Sequence, residues 1–111
     1  GHAIEASDYR HMHGEAIAIG MHAASRLSAL EGRVPTNRTN GITALIQSYG
    51  LPTHGTFQLD RVIDLIGNDK KRVGGKASWV LLEPHGGVSI SHDVHEDHIS
   101  AAIAGVQTVD V

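Results

Sequence analysis

The sequence predicts a mainly α domain, a helical bundle with a small two-stranded β-hairpin near its C-terminus. Three observations carry this. Across 12–30 apolar residues recur every three or four positions, the period of a helix buried along one side. Two later stretches, 36–49 and 58–68, repeat that period between glycine and proline signals. Only 77–82 and 87–91 have the branched, aromatic or alternating character of strands, and they lie close together.

Residues 1–6 open as though inside a helix, because no cap precedes Ala3 and Ile4 and no partner turn lies upstream, so the polypeptide is expected to begin earlier. Ser7, Asp8 and Arg10 break the pattern, and a short connection leads to His11, Met12 and His13. The central helix is expected from about His13 to Leu30, with Ile17, Met21, Ala24, Leu27 and Leu30 inward and Ala16, Ile19 and Ala23 widening that face. Such a girth belongs in the middle of a bundle, with His13 presented at the first turn. Gly32 stops the helix and Pro35 prevents its resumption.

The second helix rests on a narrower stripe of Ile42, Leu45 and Ile46, weakened at Gly41 and ended by Gly50 and Leu51-Pro52. The third, from Gln58 to about Asn68, places Leu59, Val62, Ile63 and Ile66 on one face. Residues 69–76 then concentrate the cations Lys70, Lys71, Arg72 and Lys76 with Gly74 and Gly75, and read as a loop. After the hairpin, 94–106 closes the fold as an amphipathic helix with Ile99, Ala102 and Ile103 inward, and 107–111 is expected to fray.

A length of 111 residues bounds the chain to a single domain, 1–111, short for an enzyme enclosing both a cofactor and a substrate, so it reads as a piece of something larger. The net charge of −3, with cations scattered outside 70–76, excludes a general nucleic-acid surface. Absence of cysteine excludes disulfides and thiolate metal sites and fits a reducing, cytoplasmic setting. No apolar run approaches the roughly 18 residues of a membrane span. Nine histidines are the compositional oddity, since histidine binds metals and moves protons near neutral pH.

The motifs carry a resemblance. Gly1-His2-Ala3-Ile4-Glu5, then Met12-His13-Gly14-Glu15-Ala16 running on to Gly20-Met21, then Leu51-Pro52, then Asp69-Lys70-Lys71 with its basic glycine loop and Trp79-Val80-Leu81-Leu82 succeed one another at the spacing of the 3-dehydroquinate synthase family. Other sugar-phosphate cyclases are matched more loosely. The stretch resembles that family's C-terminal, mainly helical domain, without the N-terminal NAD-binding domain. Methionine stands at position 12 where the family usually has leucine, an apolar exchange of similar volume.

The resemblance implies conversion of 3-deoxy-D-arabino-heptulosonate 7-phosphate to 3-dehydroquinate and phosphate, in the shikimate pathway, by a homodimeric full-length lyase using NAD and zinc or cobalt. His13 matches a metal ligand that also contacts substrate, and His2 matches the catalytic histidine near the substrate phosphate. Lys70 and Lys71 are the candidates for holding an anionic substrate group. Of the family's remaining ligands, a further histidine falls four residues before the position of His2, upstream of Gly1, a glutamate is missing as well, and no GxGxxG turn occurs. The chain alone is therefore expected to be inactive and to hold neither cofactor tightly.

Plainer readings stand beside these. Glu15 is explained by the helix dipole alone, although it can also be read as supporting a metal ligand. The two lysines can be solvated loop charges. His92, His95 and His98 form a rival metal constellation, against which stands a solvated helix face interleaved with Asp93, Glu96 and Asp97. His11, His22, His54 and His85 have no motif to raise them above surface or loop residues. Whole-chain alternatives are the same domain of an inosose or valiolone synthase, or a non-catalytic helical binding module.

Overall fold

The structure, a computed structural model, describes residues 3–5, 12–72, 79–84, 86–92 and 94–108, with only the backbone of 68–72. After a helical turn at 3–5 come α1 (His13–Leu30), α2 (Thr36–Ser48), α3 (Leu59–Arg72), β1 (Trp79–Leu82), β2 (Val88–Ser91) and α4 (Glu96–Gly105). The expected mainly α bundle with one hairpin is what forms. Helix α1 lies at its centre and touches α2, α4 and β1.

The buried face of α1 is rotated from the one its largest side chains suggest. Ile17, Met21 and Leu30 are 43%, 48% and 44% exposed, whereas Ala16, Ala18, Ile19, His22, Ser25, Leu27 and Ser28 are buried. Small residues win the interior because an axis surrounded by other elements leaves little room on each side. The serines cost little there, since their hydroxyls donate within the helix: Ser25 Oγ to the His22 carbonyl and Ser28 Oγ to the Ala24 carbonyl, each at 2.7 Å. Ser28 Oγ also accepts from the Leu82 amide at 2.9 Å and ties β1 to the helix. From α2, Thr39 Oγ1 donates to the Ser25 carbonyl at 3.3 Å.

Both helix stops are the glycines read from the sequence. Gly32 (φ 75°) and Gly50 (φ 73°) adopt the left-handed conformation that side chains with a Cβ avoid. Gly32 N–H donates to Ala29 O and Arg33 N–H to Ser28 O, both at 3.0 Å, and Gly50 and Leu51 repeat the pattern on Gln47 and Ile46. These pairs are Schellman caps. In α2 only Ile46 of the expected stripe is fully buried, and Leu45 faces outward.

Helix α3 is longer than expected. Its backbone stays helical through Arg72, so Asp69 to Arg72 belong to the helix and not to a loop. Lysine and arginine are good helix formers, cations at a helix C-terminus are favoured by its dipole, and the first glycine beyond them comes only at 74. Residues 73–78 lie outside the described residues. The hairpin is antiparallel, with Trp79 opposite Ser91 and Leu81 opposite Ser89. Leu81 packs on Leu27 and Ala102, while Val80, Val88 and Ile90 face outward. Arg33, behind the α1 cap, pairs with Glu83, and Ser89 Oγ donates to the same carboxylate at 2.5 Å.

Helix α4 buries Ala102 and Ile103 and packs Ile99 against the core, as its pattern predicts. Beyond this helix, residues 107 and 108 are held in place and not frayed. Gly55 N–H donates to the Val106 carbonyl at 2.9 Å and Thr108 N–H to the Gly55 carbonyl at 2.7 Å, forming a parallel bridge between Gly55 and Gln107. Gln107 Nε2 adds a bond to the Phe57 carbonyl at 2.7 Å. These backbone bonds have a partner about fifty residues away, which no local pattern announces; residues 109–111 lie outside the described residues.

His22, which has no motif, is a buried core residue and not a surface one. Its Nδ1 lies 2.6 Å from the Thr53 carbonyl and anchors the loop after α2 on α1. The His54 ring meets it edge-on at 5.2 Å between centroids, and His54 Nδ1 is 2.8 Å from Thr53 Oγ1. Burial lowers the His22 pKa below its ordinary 6.5; the Thr53 carbonyl opposes the shift, and His54 and Arg26 add to it.

The packing and this shift each set a measurable stability. Ile19, buried with Ile4, Ala16, Phe57, Val62, Ile103 and Val106, should cost about 2 to 5 kcal/mol on truncation to alanine, read as a lowered midpoint in urea unfolding. Because His22 takes a proton more readily unfolded than folded, its contribution to stability is complete above pH 6.5 and declines as the pH falls through 6.5 toward its lower folded value. Urea unfolding of wild type and His22→Gln at about pH 7.5 and about pH 5.5, on either side of that midpoint, should show a smaller acid loss in the variant.

Candidate functional site

The site is built at the exposed start of the buried helix. Met12 caps α1 in an extended conformation (φ −63°, ψ 156°), and its N–H donates to Glu15 Oε1 at 3.0 Å. Glu15 thus satisfies one of the donors that every helix start leaves open, which gives it a structural task. His13 comes next as the first helical residue, with 72% of its side chain exposed.

Opposite His13 stands a residue that sequence reasoning missed. Glu5 Oε2 lies 2.8 Å from His13 Nδ1. The turn carrying Glu5 is held by its neighbour Ile4, which is buried among Ala16, Ile19, Phe57, Val62, Ile103 and Val106, with Ala3 packed against the same cluster. Ala16, one turn along α1 from His13, belongs to that cluster too. Both members of the pair are therefore rooted in one core while their polar ends meet at its edge. No spacing rule pairs positions 5 and 13, because they do not share one helix or strand, so only the docking of Ile4 reveals the contact.

An exposed imidazole whose Nε2 has no partner among the described residues fits one ligand position of a zinc site. Among the described residues no group of three histidines and carboxylates is placed to hold a metal ion. His2 lies outside the described residues, as do His11 and His85. The backbones of Lys70 and Lys71 are in the last turn of α3, and their side chains are not among those described.

The rival histidines have other partners. His95 is the N-cap of α4, its Nδ1 accepting from Asp97 N–H at 3.2 Å. His98 Nδ1 lies 2.5 Å from Glu31 Oε2 and joins the start of α4 to the end of α1. The two rings are 5.1 Å apart and tilted by 40°. His92 lines a separate cavity of about 210 Å³, walled by Ile63, Ile66, Trp79, Val94 and Ile99, that shares no lining residue with the His13 site.

Comparison with known proteins gives the family and the fold. Residues 1–72 match the family described as 3-dehydroquinate synthase C-terminal. A 3-dehydroquinate synthase of Desulforamulus reducens is 42% identical over 109 residues, covering 94% of this chain and 30% of its own length. One of Methylacidiphilum infernorum is 39% identical over 103 residues, covering 89% and 28%. The chain thus spans less than a third of the length of these relatives. Among solved structures, a 2-epi-5-epi-valiolone synthase of Streptomyces hygroscopicus subsp. jinggangensis, with NAD+ and Zn2+ bound, superposes with a TM-score of 0.78 over 95% of this chain and 31% of its own, at 21% identity. That likeness shows the shared fold, and the sequence matches show the lineage: the chain belongs to the 3-dehydroquinate synthase C-terminal family.

Proposed function

We propose that the chain is the metal- and substrate-binding domain of a full-length 3-dehydroquinate synthase, which converts 3-deoxy-D-arabino-heptulosonate 7-phosphate to 3-dehydroquinate and phosphate. The observation that carries this is His13 at the exposed start of α1, inside the motif that matches the family's metal ligand. A zinc ion bound there supplies a Lewis acid that stabilises negative charge on the reacting oxygens. His13 is one of the residues that hold it. His2 holds and moves a proton near the substrate phosphate, a task suited to a group titrating near neutrality. Lys70 or Lys71 binds an anionic group of the substrate, where a flexible ammonium serves as a point charge.

No glycine-rich turn leads from a strand into a helix among the described residues, so these residues do not fit NAD. Its binding falls to the larger part of the enzyme outside this chain. A second reading, a cyclase of the valiolone synthase type, draws on the fold of the solved relative, but the 37% to 42% identity to 3-dehydroquinate synthases of several bacteria favours the first. Homodimerisation of the full-length enzyme and a cytoplasmic setting belong to the same proposal.

Phosphate release tests it. The full-length enzyme with NAD and zinc should release phosphate from the heptulosonate phosphate and not from a sugar phosphate lacking the carboxylate, while residues 1–111 alone should release none. The opposite substrate preference would favour the valiolone-type reading, and turnover by the isolated chain would show that the site is complete within it.

Replacing the substrate-binding lysine by alanine in the full-length enzyme removes a charge-assisted hydrogen bond, worth about 2 to 4 kcal/mol in the transition state. Steady-state kinetics of Lys70→Ala and Lys71→Ala should show a roughly 30- to 1000-fold fall in kcat/KM for one of them and little change for the other. Normal kinetics in both would make the pair solvated charges at a helix end.

A further inference from the structure

We propose that Glu5 is the positioning residue for His13: its carboxylate accepts the Nδ1 proton, fixes the tautomer and direction of the imidazole, and leaves Nε2 as the atom that binds the metal. The inference rests on the reading of His13 as a metal ligand. A neutral imidazole carries one proton, and the nitrogen that bears it is set by the partner of the ring. An ionised carboxylate only accepts, so the 2.8 Å contact with Glu5 Oε2 places the proton on Nδ1 and the lone pair on Nε2.

Direction matters as much as protonation. With 72% of its side chain exposed, His13 has no packed wall to select its rotamer, and ordering it on metal binding would cost conformational entropy. The Glu5 bond restrains the ring in advance. Glu5 can do this because its own backbone is fixed through Ile4, which is 3% exposed in the central cluster.

The other glutamates near a histidine are engaged differently. Glu15, on the same helix, turns back to the Met12 amide. Glu31 meets His98 with the same chemistry, but there the contact joins the packed ends of two helices and the histidine is only 36% exposed. The His13 pair presents a far more open ring to solvent.

The test uses the full-length enzyme and competition for zinc against a fluorescent chelator. His13→Ala should abolish the high-affinity site. Glu5→Ala should weaken zinc affinity by about 10- to 100-fold, and Glu5→Gln by less, because its amide oxygen still accepts from Nδ1. Imidazole nitrogen shifts of the metal-free enzyme, with His13 assigned by its loss in His13→Ala, should report the Nδ1-protonated tautomer in wild type and a mixture in Glu5→Ala. Unchanged zinc affinity in Glu5→Ala beside its loss in His13→Ala would overturn the role of Glu5. Unchanged affinity in His13→Ala would instead overturn the reading of His13 itself. Should Glu5→Ala fail to fold, an Nε2-protonated His13 in the wild-type enzyme still refutes the inference.

Discussion

Everything else in the fold depends on the crowding of α1. A helix touched by α2, α4 and β1 has little free surface, and its neighbours approach closely only where its side chains are short. Ala16, Ala18, Ser25 and Ser28 supply that closeness, and Ile19 and Leu27 fill the remaining space. The two serines matter twice, because each satisfies its hydroxyl within the helix and Ser28 also takes a hydrogen bond from β1. Among the described residues no buried side-chain polar atom is left without a partner.

A helix so firmly held is a good base for a site at its end. The packed part resists displacement, while the first turn projects beyond the core and leaves His13 open. Rigid support and exposure of a polar side chain usually conflict. Here they are divided along one helix, with the core beginning at Ala16, one turn beyond His13. The turn at 3–5 repeats this division in miniature, with Ile4 buried and the Glu5 carboxylate at the boundary.

The elements were largely legible in the sequence because their signals are local. The spans of α1 and α2 came from period and from Gly32 and Gly50, whose left-handed backbones are demanded by the caps themselves. The rotation of α1 was not legible, since hydropathy ranks Ile17 and Met21 above Ser25 and Ser28, and only the neighbours reveal that space is scarcer than greasiness. The α3 end was misjudged because cations beside glycines look like a loop, although the cations themselves suit a helix terminus. At the site, motif alone raised His13 above the other histidines. Glu5, His22 with Thr53, and Glu31 with His98 became visible only when tertiary contacts joined distant segments.

The bridge between Gly55 and Gln107 has a kinetic meaning. Helices and the hairpin can form from contacts near in sequence, on fast timescales, but this bridge must close a long loop before it returns any stabilisation. Val106, whose carbonyl accepts the Gly55 amide, lies in the same cluster as Ile4. The seat of the turn that carries Glu5 is therefore completed only when Val106, about a hundred residues on in sequence, docks against it. During synthesis on the ribosome residues 106–108 emerge after the helices and the hairpin that precede them, so the edge of this site sets later than those elements.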